Sequence, residues 1–389
     1  VAPLILAAAL AIGLGACSGG YAPAQTSGEG HPVQPTTAPP GTGPAAHGAT
    51  TPRPTVPASP SASSGETGWF GGYVDVTVKP PYSFEAATAP GRPVLSFVIA
   101  DPDNPCEPSW GGQYTLDKAV TDLNLDQRVG SLRQKGHGLA ISFGGAAGDE
   151  LARACKDPQA LAQAYRKVID RYTPDVIDFD IEADNLTDIE ATARRSEALR
   201  QVFAAEGAAH MPRVWLTVPS TAQGLTAEGS AVVLQTLRDG VALAGVNIMT
   251  MDYDGPASGQ QMLDTSLRAA TSAHTQLAQL FGLGQGQDAA AWSKLGLTPM
   301  IGANDTPGET FDLQAAHGLN AFARSHGIGR LSMWSLNRDQ PCPAGEAARK
   351  TDSSGDSEAS DTCSGTSQAT GAFTKTLSTG LEHPGTPRP

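Results

Sequence analysis

Eight short runs rich in Val, Ile, Leu and Met, separated by longer amphipathic stretches, constrain the fold of this chain more than any other feature. They occupy residues 73–76, 94–99, 139–143, 175–182, 214–218, 246–251, 297–301 and 331–334. Each is of strand length, and most are followed by a stretch whose apolar residues recur at helical spacing, as at 116–132, 149–172, 188–203, 262–281 and 313–325. Strand and helix alternating in this way over roughly 300 residues predicts an α/β fold, a (β/α)8 TIM barrel. A doubly wound open sheet would share the alternation, but no GxGxxG or phosphate-binding loop follows any of the runs. In a barrel the chemistry collects at the C-terminal ends of the strands.

The fourth run reads Asp175-Val176-Ile177-Asp178-Phe179-Asp180-Ile181-Glu182. Side chains alternate along a strand, so Asp178, Asp180 and Glu182 share one face while Ile177, Phe179 and Ile181 share the other. A solvated edge would not alternate its acids with Ile and Phe. Successive acids on one face lie about 6.5–7 Å apart at Cα. Mutual repulsion is therefore expected to separate their pKa values and keep one of them protonated near neutral pH. A protonated carboxyl beside an ionised one is equipment for general acid catalysis. Glu182 ends the run and is the expected acid, with Asp180 and Asp178 beside it as catalytic residues; Asp175, at the opposite end, is expected to be structural.

Three further run ends carry candidate binding groups. Ser142-Phe143-Gly144-Gly145 closes the third, and the two glycines are expected to open space beside the acids. Met249-Thr250-Met251-Asp252-Tyr253-Asp254 closes the sixth, where a phenol and carboxylates can bond a polar substrate group and Met249 can form a wall. Trp334 closes the eighth and offers a flat apolar surface for a sugar ring, whereas Trp215 and Trp292 read as core.

The 389 residues carry a net charge of −13, which argues against nucleic acid and anionic membrane surfaces as partners and suits a neutral substrate. Residues 1–17 read as an export signal whose end, Leu14-Gly15-Ala16-Cys17, resembles a bacterial lipobox, so Cys17 is the expected lipidation site. Residues 18–67, rich in Pro, Thr, Ser, Gly and Ala, read as a disordered linker. The catalytic barrel is placed at 68–380, with a tail at 381–389. An exported or cell-surface protein can hold disulfides, and pairing the four remaining cysteines in order, Cys106 with Cys155 and Cys342 with Cys363, closes two local loops. The cysteine spacings match no common zinc pattern and the eight His form no HExxH run, so no metal and no other cofactor are expected. A monomer, touching membrane only through a lipid at Cys17, is the expected state.

Together these residues resemble the family 18 glycoside hydrolases, the chitinases and their relatives, over residues 69 to 377. The resemblance rests on DxxDxDxE at Asp175, Asp178, Asp180 and Glu182, on SxGG from Ser142 to Gly145, on Trp334, and on SMWSLNRDQPC from Ser332 to Cys342. It implies a retaining mechanism in which the substrate's own acetamido group is the nucleophile. Glu182 would be the acid and base, Asp180 would hold the acetamido N–H, and Asp178 would share a proton deeper in the barrel. Tyr253 and Asp252 would orient the acetamido group, Met249, Gly144 and Gly145 would line the site, and Trp334 would floor the sugar ring. Where family members carry Met-x-Tyr-Asp, this chain reads MTMDYD: alignment on Met249 puts Met251 at the Tyr position and keeps Asp252, whereas alignment on Met251 places Asp252 at the spacer position. The connection from Ile301 to Leu313 is too short for the small domain that deepens some relatives, which implies an open groove and endo-acting cleavage of chitin or N-acetylglucosamine oligosaccharides. An endo-β-N-acetylglucosaminidase acting on glycoprotein glycans, and a chitinase-like lectin without activity, are the alternatives; the lectin is disfavoured because Glu182 is present.

Overall fold

The structure, a computed structural model, describes residues 68–86, 91–206, 211–253, 255–351 and 357–381. The expected export signal with Cys17, the linker at 18–67 and residues 382–389 of the tail lie outside the described residues. Eight parallel strands, β1 (Trp69–Asp75), β2 (Val94–Asp101), β3 (Ala140–Gly144), β4 (Val176–Asp180), β5 (Arg213–Thr221), β6 (Leu243–Met249), β7 (Leu295–Thr298) and β8 (Arg330–Met333), follow one another around a closed sheet. β1 pairs with both β2 and β8, which closes the barrel. All eight predicted runs coincide with or overlap these strands. The sixth run overshoots, because the strand stops at Met249.

The helices form where their caps and apolar faces dictate. Pro158–Tyr172 starts with Asp157 accepting from the Gln159 N–H and with Pro at its first position, and it turns Leu161, Tyr165, Val168, Ile169 and Tyr172 inward. Ala227–Arg238, between β5 and β6, is a helix that the apolar periodicity does not single out; Thr226 caps it by accepting from Gly229 N–H. The 116–132 stretch is two helices, Leu116–Asp122 and Leu125–Gln134, because Asn124 between them adopts a left-handed φ of 53°. A hairpin of Asn104–Trp110 and Tyr114–Thr115 adds antiparallel to β2, also unforeseen.

On β4 the alternation holds. Ile177, Phe179 and Ile181 face the helical shell fully buried, and the Phe179 ring stacks on Phe143 at 5.2 Å with Tyr165 edge-on at 5.4 Å. Burying three such side chains contributes about 1.5–3 kcal/mol each, which offsets the cost of turning the acids inward. Below the acids the barrel is packed solid by Trp69, Val94, Ala140, Val176 and Trp215, the two Trp rings meeting edge-on at 6.2 Å. Trp215 and Trp292 are both core, as expected. The interior is thus closed at the strands' N-terminal ends and opens only at the other.

Disulfides join Cys106 to Cys155 and Cys342 to Cys363. The first ties the hairpin to the segment entering the helix at Pro158; the second gathers the chain beyond β8. Between β7 and the helix Leu313–His326 the described residues hold only the short antiparallel pairing of Gly302–Ala303 with Glu309–Phe311, and no further domain.

Candidate active site

A cavity of about 950 Å³ opens at the C-terminal ends of the strands. Asp180, Glu182 and Asp252 line it, with Tyr73, Thr217 and Trp334 toward its base. Asp178 lies deeper and is fully buried. Ordinary strand alternation delivers Asp178 and Asp180 inward. Glu182, two residues on and still extended, reaches the cavity just before the chain turns into Ala183–Leu186.

Asp178 is held by four donors. Its Oδ1 accepts from Thr217 Oγ1 at 2.7 Å and from Arg330 Nη1 at 2.8 Å; its Oδ2 accepts from the Tyr73 hydroxyl and Ser142 Oγ, each at 2.8 Å. Arg330, itself fully buried, also donates to the Tyr73 oxygen at 2.9 Å and to Ser332 Oγ at 2.7 Å. Its guanidinium lies over the Trp69 and Tyr73 rings at 5.1 and 5.3 Å. Removing one partner of such a pair typically costs about 3–5 kcal/mol, since the other charge is left buried alone. The apolar run at 331–334 leaves out Arg330, with which the strand begins. The available signal was parity: Arg330, Ser332 and Trp334 occupy one phase of the strand.

Asp180 is buried, and its Oδ1 has no hydrogen-bond partner among the described residues. Burial, reinforced by Glu182 and Asp178, pushes its carboxyl well above the usual range, while Arg330 opposes the shift. Glu182 is raised from 4.5 to about 7, chiefly by burial, then by the charges of Asp252 and Asp305. The separation expected from the sequence therefore has a different leading cause. Withdrawal from water dominates, and the carboxylates that act on Glu182 most come from across the cavity rather than from its own strand. Asp305, beyond β7, carried no signal in the sequence; only closure of the barrel brings it opposite Glu182.

The other expected residues separate into two groups. Met249 and Asp252 line the cavity, as does Met251. Asp252 Oδ1 accepts from Thr306 N–H at 2.6 Å, and burial raises its pKa. Tyr253 is not on the cavity wall. Asp252 adopts a left-handed φ of 54°, which breaks the strand alternation, so Asp252 faces inward and the Tyr253 ring packs with the apolar core instead. The Tyr253 N–H donates to Glu309 Oε1 at 2.7 Å, and Asp254 lies outside the described residues.

Gly144 and Gly145 do not line the cavity either; the wall there is Ala146 to Asp149. Both glycines have positive φ, and a Cβ on Gly144 would sit 2.2 Å from the Asp180 carbonyl oxygen. They permit the close crossing of β3 and β4 that positions Asp180, sealed by the Gly145 N–H donating to the Asp180 carbonyl at 3.0 Å. Ser142 acts through Asp178. Asp175, at the far end of β4, accepts from Leu139 N–H at 2.7 Å and from Arg133 at 2.8 Å, a structural arrangement.

Trp334 lines the cavity and is stacked on Phe97 at 5.5 Å, beside Tyr73 at 6.0 Å. The chain closed by the Cys342–Cys363 bond adds Glu358 and Asp361 to the wall. Among the described residues no group of three or more His, Cys, Asp or Glu is placed to hold a metal ion.

No family model matches the chain. It is 34% identical over 255 residues to a probable bifunctional chitinase/lysozyme of Escherichia coli K12, and 33% identical over 256 residues to endochitinase 11 of Metarhizium anisopliae, in each case over 64% of this chain. It spans 28% and 47% of the lengths of those two relatives. Among solved structures it is similar to the catalytic domain of a hyperthermophilic chitinase from Pyrococcus furiosus, 30% identical with a TM-score of 0.65, over 79% of this chain and 93% of that one.

Proposed function

The chain belongs to the family 18 glycoside hydrolases, the chitinases, and from that premise we propose that it hydrolyses the β-1,4 links of chitin and its oligosaccharides by a substrate-assisted, retaining, endo-acting route. The observation that carries this reading is a carboxyl raised to about 7 in the cavity wall, Glu182, beside a buried carboxyl with an unpartnered oxygen, Asp180. Glu182 enters the reaction protonated and gives its proton to the glycosidic oxygen as the bond to the anomeric carbon breaks. The carbonyl oxygen of the substrate's own 2-acetamido group attacks that carbon and forms an oxazolinium ion. Asp180 accepts the acetamido N–H through its unpartnered oxygen, in a site where burial strengthens the interaction. Glu182, now ionised, takes a proton from the incoming water, which opens the ring and restores the acid. Trp334 supports the sugar face.

Endo-action is favoured by the short connection after β7, which leaves the groove without an added domain. The two disulfides favour a site of action outside the reducing cytoplasm, as a secreted or surface-anchored monomer with Cys17 as the lipid attachment point.

Chitohexaose hydrolysis followed by proton NMR tests the mechanism. Products that first appear as β-anomers support it, and α-anomers overturn it. A rapid loss of viscosity from soluble chitin, ahead of the release of reducing ends, supports endo-cleavage. Release of a glycoprotein glycan with chitohexaose left intact would instead favour an endo-β-N-acetylglucosaminidase. Unchanged hexaose with retained binding would favour a lectin.

A further inference from the structure

Glu309 is a carboxyl only 1% exposed, it does not line the cavity, and no step of the hydrolysis uses it. Withdrawing a carboxyl from water is costly unless the fold supplies it with donors. The run Thr306-Pro307-Gly308-Glu309 shows what that burial serves. Pro307 and Gly308, the latter at a φ of 88°, make a tight turn closed by the Glu309 N–H donating to the Thr306 carbonyl at 3.1 Å. The two ends of the turn grip two consecutive residues of another loop. Thr306 N–H donates to Asp252 Oδ1 at 2.6 Å, and Glu309 Oε1 accepts from the Tyr253 N–H at 2.7 Å. We propose that Glu309 is a positioning residue for the reaction: by holding the Tyr253 N–H it keeps Asp252 in its left-handed conformation, with the Asp252 carboxylate in the cavity wall and the Tyr253 ring in the core.

The clamp is needed because the chain leaving β6 favours the other arrangement. Met249 and Met251 face the cavity, so a strand continued in the same phase would send Tyr253 inward and Asp252 outward. A φ of 54° at Asp252 reverses that order. A residue with a Cβ takes up this conformation only under constraint, although Asp tolerates it better than most. Backbone pairing sets the Glu309 side chain in place to supply the constraint. Ala257–Ser258 pairs in parallel with Glu309–Thr310, and the Ala257 N–H donates to the Gly308 carbonyl at 3.2 Å, so the loop that starts at Asp252 is anchored again at Ala257. Asp305, next to the turn, is fixed in its own right by the Ala359 N–H, which donates to its Oδ1 at 2.8 Å. The charged groups acting on Asp252 are Asp305 and, from beyond β8, Arg338. Asp252 in turn acts on Glu182 at the end of β4, while Arg268 from the helix Gln260–Leu280 and Glu309 face Tyr253. The proposal rests on the reading of this cavity as the site of hydrolysis.

Three substitutions in the full chain separate reach from charge. Glu309→Gln keeps the length and an oxygen for the Tyr253 N–H, Glu309→Asp keeps the charge but falls one methylene short, and Glu309→Ala removes both. Crystals of the Asp and Ala variants should show the Asp252 carboxylate withdrawn from the cavity wall, and crystals of the Gln variant should show it in place; this can be read whether or not the protein cleaves chitin. In the pH profile of kcat on chitohexaose the Asp and Ala variants should bring the alkaline limb down by about one unit, because the Asp252 charge no longer acts on Glu182, and should lower kcat by about tenfold. The Gln variant should leave the limb in place and kcat within about twofold. Adding Glu309→Asp to Asp252→Asn should move the limb no further than Asp252→Asn alone, since both act through one carboxylate. An Asp252 that keeps its place in the Asp and Ala variants overturns the proposal. So do equal effects in the Gln and Asp variants, or limb shifts that add in the double variant. If Glu309→Ala does not fold, the contrast between Asp and Gln decides the matter. Wild-type protein that leaves chitohexaose intact would count against the proposed function alone, and the position of Asp252 in Glu309→Asp would still decide the role of Glu309.

Discussion

Replacing Glu182 by Gln should make the protein more stable and less active, and the stability gain should appear only as the pH rises. In the folded chain Glu182 holds its proton to about pH 7, against an ordinary value of 4.5. Below about pH 4.5 the carboxyl is neutral in both folded and unfolded chains, and a neutral amide of the same shape changes little. Between 4.5 and 7 the unfolded chain ionises while the folded one resists, so folding loses free energy as the pH rises, and above 7 the loss is complete. A difference of 2.5 units corresponds to about 3 kcal/mol, an upper figure because Glu182 is only part buried. For a barrel of this size that is roughly 5 °C in thermal midpoint. Removing the charge also relieves Asp180, on which Glu182 acts with the same sign, so the coupled acid adds to the effect. Scanning calorimetry of wild type and Glu182→Gln at pH 4 and pH 8 reads the gap directly. It should be near zero at pH 4 and several degrees in favour of the variant at pH 8, with chitohexaose turnover down by about 10²–10⁴-fold. A gap of equal size at both pH values, or a variant less stable at pH 8, would refute burial as the source of the raised pKa.

Asp252 raises Glu182 through its charge, so Asp252→Asn should lower the pKa of the general acid and bring the alkaline limb of the kcat profile to lower pH; an unmoved limb would detach Asp252 from the acid. Trp334→Ala should raise KM on chitohexaose by about tenfold with a smaller change in kcat, the loss of a stacking surface worth about 1.4 kcal/mol. Tyr253→Phe should leave kcat/KM within about twofold, because its ring packs into the core and not the cavity; a loss of the size produced by a removed substrate hydrogen bond, about tenfold or more, would return it to the site. Breaking the Cys342–Cys363 bond, which spans 21 residues, should cost about 3 kcal/mol in urea unfolding and weaken substrate binding through the wall that carries Glu358 and Asp361.

Strand identity was legible because each barrel strand is a short apolar run between helical stretches, a pattern that survives without knowing any partner. β4 was more than legible: the period of two separates Asp178 and Asp180 from Ile177 and Phe179, and the barrel obeys that separation. Boundaries and irregular backbone were less so. Asn124 splits a helix and Asp252 turns a strand end through left-handed φ values that the local pattern does not announce. Tyr253 was misplaced for that reason alone. Gly144 and Gly145 were recognised as positions of close approach, but what approaches is the neighbouring strand and not a sugar.

The sequence by itself determined the barrel, the ordering of its strands, the inward face of β4 and the order of the disulfide pairing, because each depends on residues near one another in the chain or on simple alternation. Only the tertiary structure decided the electrostatics. Arg330 lies 152 residues from Asp178, and Asp252 and Asp305 reach Glu182 from other strand ends. Burial, which contributes most to the raised pKa of Glu182, is a property of everything packed around the carboxyl rather than of its neighbours in sequence. A run of acids specifies where protons can reside; closure of eight strands around it decides which acid keeps one.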